Sequence, residues 1–173
     1  MFSLQGKNIK LRAMEPSDID TLYEWENAPD IWHYGETLTP FSKFHLEQFI
    51  LNSNCNIYLD RQLRLIITDI KGSSTGIIDL FDFDAHHRRA AIGILIAKQH
   101  RNKGYATDAL DAIIEYGKNV LSLHQLYCNI TTDNETSIKL FKSKGFEVAG
   151  VKKQWKWINN QWKDEYTLQL IFK

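Results

Sequence analysis

One stretch of the chain, residues 90–117, constrains the fold more than any other. It begins with a continuous apolar run, Ala-Ala-Ile-Gly-Ile-Leu-Ile, which is typical of a strand buried on both faces. A short basic turn follows, and then small and apolar residues recur at the spacing of an amphipathic helix: Ala106, Ala109, Leu110, Ile113, Ile114 and Gly117. A buried strand that leads through a tight turn into such a helix predicts a domain of mixed α/β class.

The rest of the chain adds elements on both sides of this unit. Alternating or apolar segments predict further strands at residues 9–12, 63–67, 76–81, 125–130, 155–158 and 166–172. Helices are predicted after the start signal at residues 14–18, over residues 41–51, and over residues 134–144 with Gly145 as a left-handed terminator. The chain has 173 residues and neither repeats nor a low-complexity run, so we expect one domain spanning residues 1–173.

Charge and composition exclude several classes of protein. The 21 Lys and Arg residues balance 21 Asp and Glu residues, so the chain lacks the basic surplus of a dedicated nucleic-acid binder. Two cysteines, Cys55 and Cys128, are too few for a disulfide scaffold or a four-cysteine zinc module. The sequence has no apolar run of the roughly 18 residues that cross a bilayer and no signal-peptide pattern. We therefore expect a cytoplasmic domain that has no nucleic-acid or membrane partner and holds no metal.

The basic turn after the apolar run has the features of an anion site. Backbone N–H groups at the start of the following helix lie at the positive end of its dipole, and Arg101 and Lys103 add charge. Gly104 allows the backbone to approach an anion closely. A plain junction with solvated basic side chains accounts for the same residues equally well. The P-loop motif and the G-x-G-x-x-G dinucleotide motif are both missing.

Two segments resemble the GCN5-related N-acetyltransferases. Residues 99–106, Q-H-R-N-K-G-Y-A, resemble the family's Q/R-x-x-G-x-G/A pyrophosphate loop. Residues 134–146, N-E-T-S-I-K-L-F-K-S-K-G-F, resemble its N-x-x-[AS]-x-x-L-[YF]-x-x-x-G-F block. Arg12 and Asp18 look like the start of the ribosomal-protein-alanine acetyltransferase branch. Within it, residues 87–90 and the Trp-rich C-terminal hairpin look most like spermidine/diamine N-acetyltransferases.

The resemblance covers essentially the whole chain and implies a fold and a co-substrate. The fold is a single α/β (α+β) domain whose mixed, mostly antiparallel sheet contains a splayed parallel pair and is flanked by about four helices. The co-substrate is acetyl-CoA, whose pantetheine arm would pair with backbone groups of Ile94, Leu95 and Ile96. The pyrophosphate would lie on the loop residues Arg101, Asn102, Lys103, Gly104, Tyr105 and Ala106. Asn134 and Phe141 would contact acetyl-CoA beyond the second strand, and Asn134 is also suited to cap a helix.

Acetyl transfer to an amine also requires groups that move protons and stabilise charge. Asp79 lies in the middle of an apolar strand, where an unpaired carboxylate would be costly. This misfit makes Asp79 a candidate base or amine contact. A satisfied carboxylate at a sheet edge or in a hairpin is the alternative. The family often has a tyrosine, assigned as general acid, where this chain has Phe141. The general acid is therefore unassigned: Tyr105, Tyr127 or solvent could take its place, or the chain is a weak catalyst.

An acidic and aromatic loop, residues 26–36, is the candidate acceptor site. Carboxylates among aromatic rings suit a cation, and polyamine-acetylating relatives use acidic groups of this loop; the residues concerned here are Glu26, Trp32, Tyr34 and Glu36. A solvated loop is the alternative. We expect an N-acetyltransferase acting on a polyamine or diamine such as spermidine, by direct attack in a ternary complex. Acetylation of a protein N-terminus and non-catalytic acyl-CoA binding are the alternatives. The sequence fits a monomer, a dimer or a larger homo-oligomeric ring equally well.

Overall fold

The computed structural model describes residues 4–29, 38–53 and 56–173, and their elements follow the predicted order with one addition. The strands are β1 (Ile9–Ala13), β2 (Leu63–Asp69), β3 (Ser74–Asp84), β4 (Arg89–Ile96), β5 (Gln125–Thr131), β6 (Glu147–Ile158) and β7 (Gln161–Ile171). The helices are α1 (Ile19–Glu26), α2 (Lys43–Leu51), α3 (Ile57–Asp60), α4 (Tyr105–Asn119) and α5 (Glu135–Ser143). The addition is α3, a single turn that is too short to show helical periodicity.

All seven of these strands form one sheet in the order β1-β2-β3-β4-β5-β7-β6. Every neighbouring pair is antiparallel except β4 and β5, as predicted. The parallel pair is short, since it extends only from the Arg89–Gln125 register to the Ala91–Tyr127 register. Both strands continue beyond these positions without pairing to each other, so the expected splay is present.

Alternate side chains of the sheet enter two separate cores. One core, which we call the α4 face, includes Ile78 and Leu80 of β3 packed with Leu110 and Ile113 of α4. The opposite side, which we call the α1–α2 face, packs two buried strand residues, Ile66 and Ile77, against Leu22, Trp25 and Leu46. The position of a residue along a strand therefore decides which of the two cores its side chain enters.

Some details of the predicted strands are wrong, and burial within α2 is uneven. Leu46 is the buried residue of α2, whereas Phe44 and Phe49 are 68% and 36% exposed. The end of β4, residues 94–96, is half-buried and not covered on both faces, because β5 has moved away there. The strand β6 begins at Glu147 and not at residue 155, since it is an edge strand whose first half is exposed and is interrupted by a register shift at Gly150.

The predicted terminator Gly145 is confirmed by its backbone angle, and the hairpin turn between β6 and β7 also has positive φ angles. Gly145, directly after α5, has φ of +87°, which a glycine adopts without steric cost. Asn159 and Asn160 connect β6 to β7 with φ of +51° and +57°, the pattern of a two-residue hairpin turn. In the part of the chain that the structure describes, no helix has both the length and the apolar character needed to span a membrane.

Candidate active site

The separation of β4 from β5 opens a cavity of about 160 Å³ at the centre of the sheet. Three predicted contacts of acetyl-CoA, namely Ile94, Asn134 and Phe141, contribute to its wall. Leu95 and Ile96 lie farther along β4 and are half-buried. The whole wall comes from five elements and the residue that caps α5: Ile92, Gly93, Ile94, Cys128, Asn129, Ile130, Thr131, Asn134, Ser137, Phe141, Lys156 and Glu165.

The predicted pyrophosphate loop leads from the end of β4 into α4. Its residues 101–104 are exposed, and Tyr105 and Ala106 form the half-buried start of the helix. Arg101 ties the loop to β4, because its Nε donates a hydrogen bond to the carbonyl oxygen of Ile96 at 3.1 Å. The first N–H groups of α4 have no acceptor within the helix, so this end of the helix is suited to an anion.

Gly104 is needed at the start of α4 for its backbone conformation. Its φ is +80°, in the left-handed region that glycine occupies readily and other residues rarely adopt. A Cβ atom at this position would meet no protein atom within 4 Å. A larger residue is therefore disfavoured by backbone strain and not by crowding within the protein. The neighbouring Asn102 also has a positive φ, of +62°.

Asn134 and Phe141 lie at the two ends of α5. Asn134 caps the helix, since its Oδ1 accepts a hydrogen bond from the backbone N–H of Ser137 at 3.2 Å. Phe141 is buried and meets Phe146 edge to face, with ring centroids 5.1 Å apart. Both side chains contribute to the cavity wall. Phe141 stands where the resemblance places a tyrosine, and it has no hydroxyl proton to donate.

The expectation that Asp79 is unpaired is wrong. Arg64 of β2 lies opposite it in the sheet register, and the guanidinium donates two hydrogen bonds to the carboxylate, Nε to Oδ1 at 2.8 Å and Nη2 to Oδ2 at 2.9 Å. Arg64 also donates from Nη1 to Oε1 of Glu26 at 2.7 Å. Burial opposes the charge on Arg64, but attraction to Asp79 and then Glu26 outweighs it and raises the pKa of the guanidinium.

This network brings together two residues that the sequence analysis assigned to separate places. Glu26 ends α1 and Asp79 lies in the middle of β3, yet both bind the same guanidinium. Two carboxylates and one guanidinium give a net charge of −1. The residue next to Asp79 on β4 is Gly93, which contributes to the cavity wall and has no side chain. Three other predicted acceptor-site residues, Trp32, Tyr34 and Glu36, lie outside the described residues.

A second buried carboxylate, Glu165 of β7, was not predicted from the sequence. Its side chain is 2% exposed and pairs with two lysines of β6, Lys152 at 2.5 Å and Lys156 at 3.3 Å. Lys152 also donates to Oδ1 of Asn129 at 3.2 Å. The sequence gives no signal for this cluster, because a register shift between Lys152 and Lys156 lets both lysines reach the same carboxylate.

Cys128, Tyr127 and Tyr105 are poorly placed to act as a nucleophile or to transfer a proton. Burial raises the pKa of the Cys128 thiol to about 12, so it stays protonated and behaves as a core residue. Burial also raises the pKa of the Tyr127 phenol. Neither Tyr127 nor Tyr105 is among the described residues that form the cavity wall. Within the described ranges, no group of three or more His, Cys, Asp or Glu side chains is arranged to hold a metal ion.

Comparison with known proteins points to the same chemistry. The chain is 27% identical over 157 residues to the spermidine N(1)-acetyltransferase of Escherichia coli K12, covering 91% of this chain and 82% of that protein. The crystal structure of spermidine N-acetyltransferase from Vibrio cholerae in complex with CoA and spermine superimposes with a TM-score of 0.83 at 24% identity, over 95% of each chain. A dodecameric structure of the Vibrio cholerae enzyme has a TM-score of 0.80 at 24% identity, over 95% of this chain and 94% of that one.

The family profile for the acetyltransferase (GNAT) domain matches residues 8–147. The match includes β4, the loop into α4, β5 and the whole of α5, which contribute most of the cavity wall and the predicted pyrophosphate loop. The strand order and the splayed parallel pair are those of the Vibrio cholerae enzyme's fold. The chain therefore belongs to the GNAT acetyltransferase family and is an acetyl-CoA-dependent N-acetyltransferase.

Proposed function

We propose that this enzyme acetylates a primary amine of a polyamine or diamine, such as spermidine. The observation that carries the proposal is the Glu26–Arg64–Asp79 network, whose net charge is −1 and which lies one strand away from the cavity wall at Gly93. A cationic amine is attracted to such a site, whereas a neutral acceptor gains nothing from it. The similarity to spermidine N-acetyltransferases supports the same substrate class.

In this proposal acetyl-CoA enters between β4 and β5. Its pantetheine arm pairs with the backbone of Ile94, Leu95 and Ile96 in the manner of an added strand. Its pyrophosphate lies on the loop of residues 101–106, at the N-terminus of α4. Its thioester lies near Asn134 and Phe141, which both contact the cavity. The arrangement places the acetyl group beside Gly93, on the row of the sheet that also holds Asp79.

Transfer then proceeds by direct attack in a ternary complex. The amine nitrogen forms a bond to the acetyl carbon, the bond from carbon to sulfur breaks, and the electron pair leaves with the sulfur. An alkylamine has a pKa of about 10.4, so it arrives protonated and must lose a proton before attack. Asp79 holds the ammonium at the cavity, and water takes the proton. A carboxylate held by two hydrogen bonds from Arg64 is a better amine contact than a base.

The acceptor is tested by measuring thiol release from acetyl-CoA with spermidine, spermine, putrescine, antibiotics and short peptides, with mass spectrometry of the product. We expect turnover with the polyamines and the diamine. Turnover with peptides alone would replace the proposal with acetylation of a protein N-terminus. Tight binding of acetyl-CoA without turnover of any amine in this panel would favour a non-catalytic acyl-CoA-binding role.

We also propose that the enzyme is a homo-oligomer. The edge strand β6 and its partner β7 expose three tryptophans, Trp155, Trp157 and Trp162, each by 56% or 57%. The rings of Trp157 and Trp162 are 5.1 Å apart and form one apolar patch on the hairpin. Such a patch is typical of an interface, and the Vibrio cholerae relative has a dodecameric structure. Light scattering on the purified protein tests this proposal, and a monomer at all concentrations would contradict it.

A further inference from the structure

The replacement of the family tyrosine by Phe141 leaves the departing thiolate without its usual hydroxyl partner, and a lysine contacts the same cavity. Lys156 and Glu165 both contribute to the wall that Phe141 also forms. Lys156 is the only cation among the described residues of that wall, whose other polar members are neutral apart from Glu165. We propose that Lys156 is a catalytic residue that stabilises the coenzyme A thiolate in place of the missing hydroxyl.

The surroundings of Lys156 hold its ammonium group in one place. The Nζ atom is 3.3 Å from Oε2 of Glu165, and the lysine side chain is only 21% exposed. Glu165 is 2% exposed and also binds Lys152, so the three side chains together carry a net charge of +1. Lys156 therefore brings a positive charge to the cavity wall, and its contact with Glu165 holds that charge in place. A fixed cation in a partly dehydrated site stabilises developing negative charge without reorganisation.

Coenzyme A can leave as a thiolate without a separate proton donor. As the bond from carbon to sulfur breaks, the electron pair moves to sulfur, and the resulting thiolate forms an ion pair with the ammonium of Lys156. No proton passes between the two groups in this step, because the ion pair itself stabilises the charge on sulfur. Coenzyme A then leaves as the thiolate or takes a proton from water. Lys156 therefore acts as an electrostatic stabiliser of the leaving group and not as a general acid.

This inference rests on the proposed position of the thioester, but it does not depend on which amine is acetylated. The first test therefore uses no acceptor. Coenzyme A and desulfo-coenzyme A, which lacks the thiol, are titrated into the protein at pH 7 and pH 9. If Lys156 lowers the thiol pKa by about one unit, binding of coenzyme A relative to the desulfo compound tightens by about sixfold between these pH values. In Lys156→Met the relative affinity stays constant.

The second test is kinetic, and Lys152→Met is its matched control. Both variants remove one of the two lysine partners of Glu165 and leave the other, but only Lys156 contributes to the cavity wall. Lys156→Met should lower kcat by about 10²-fold with little change in the KM for acetyl-CoA. Lys152→Met should keep most of the activity, and Lys156→Arg, which restores the charge, should recover part of the lost rate.

Two results would overturn the assignment. Equal losses of kcat in Lys156→Met and Lys152→Met would show that the two lysines act only through their contacts with Glu165 and the packing of the hairpin. An unchanged pH dependence of coenzyme A binding in Lys156→Met would show that the ammonium does not contact the thiolate. A wild-type enzyme that binds coenzyme A with the expected pH dependence but ignores every polyamine would contradict the proposed acceptor and leave Lys156 in its role.

Discussion

Arg64 and Asp79 lie opposite each other on neighbouring strands and are joined by two hydrogen bonds of 2.8 and 2.9 Å. The same guanidinium binds Glu26, so one buried cation holds two carboxylates from distant parts of the chain. This pairing fixes the end of α1 against the middle of the sheet, directly beside the strand that borders the cavity. The proposed acceptor site therefore depends on Arg64, although the guanidinium itself would repel a cationic substrate.

Replacing Arg64 with methionine should destabilise the fold strongly. The variant leaves Glu26 and Asp79 largely buried without their shared cation, which typically costs about 3–5 kcal/mol. The free energy of unfolding from urea denaturation measures this loss. Arg89→Met is the control, since Arg89 pairs with Asp84 at 3.4 Å and is 47% exposed. A comparable loss of unfolding free energy in Arg89→Met would contradict the explanation that burial makes the Arg64 pairs costly to break.

Replacing Asp79 with asparagine should raise the KM for the amine by about 10-fold, with little effect on the KM for acetyl-CoA. The substitution keeps the shape and one hydrogen-bond acceptor but removes the charge that holds the ammonium. Steady-state kinetics near neutral pH measure the change. Asp84→Asn, on the same strand but near the hairpin turn, serves as the control. Equal kinetics in wild type and Asp79→Asn would remove Asp79 from the site.

Replacing Glu26 and Glu36 together with glutamine should raise the KM for a polyamine several-fold and weaken its dependence on salt. Two fewer negative charges reduce the attraction of a polycation, and this attraction is the part of binding that salt screens. Initial rates at low and high ionic strength measure both effects. Glu24→Gln is the control, because Glu24 is an exposed residue of the same helix as Glu26. If the KM does not move, this loop has no part in acceptor binding.

Replacing Gly104 with valine should weaken binding of acetyl-CoA. A β-branched residue at φ of +80° is strained by about 1–2 kcal/mol, and relief of the strain would reorient the N–H groups to which we assign the pyrophosphate. Calorimetric titration of acetyl-CoA measures the affinity. Gly72→Val is a close control, since Gly72 has φ of +88° and equally open surroundings but lies in the turn between β2 and β3. Both variants should lose similar stability, and only Gly104→Val should lose affinity.

Replacing Asp18 with asparagine should lower stability by about 2 kcal/mol at pH 7. Arg12 donates two hydrogen bonds of 2.7 Å to this buried carboxylate. Burial alone would raise the pKa of Asp18, but the hydrogen bonds from Arg12 and from the N–H of Glu15 outweigh it and lower the pKa. The stabilisation is therefore complete above the unfolded pKa of about 3.9 and is lost as the pH falls through the lower folded pKa.

Urea denaturation of wild type and Asp18→Asn at pH 7 and pH 2.5 checks this pH dependence. The difference between the two proteins should be large at pH 7 and should shrink as Asp18 becomes protonated. A difference that stays constant over this range would mean that the ion pair contributes through shape and not through charge.

Much of the fold was predictable because the core has strong periodicity. The helix α4 presents Ala109, Leu110 and Ile113 to the sheet as its helical spacing indicates, and Gly145 ends α5 where the sequence places a terminator. Edge strands were harder to predict. The first half of β6 is exposed and contains Gly150 at a register shift, so only its pairing with β7 defines it as a strand.

The candidate site was predictable only where a local motif describes it. The loop around Gly104 is one short segment, and Asn134 caps the helix that directly follows it. The geometry of each therefore follows from a short sequence pattern. The partners of Asp79 and Glu165 come from other strands through the sheet register, at Arg64 in the first case and at Lys152 and Lys156 in the second. A single sequence contains no direct record of register, which is why the buried carboxylates had no predicted partner.

The shortness of the β4–β5 ladder also affects how the protein unfolds. The sheet has two parts, one formed by β1 to β4 and the other by β5, β7 and β6. Among the described residues, only three residue pairs of β4 and β5 join the two parts by strand pairing. A pantetheine arm bound along residues 94–96, as proposed, completes the sheet from within and couples its two parts. Amide protons on both sides of the cleft will then exchange with solvent more slowly, and the two parts will unfold in one cooperative transition with acetyl-CoA bound.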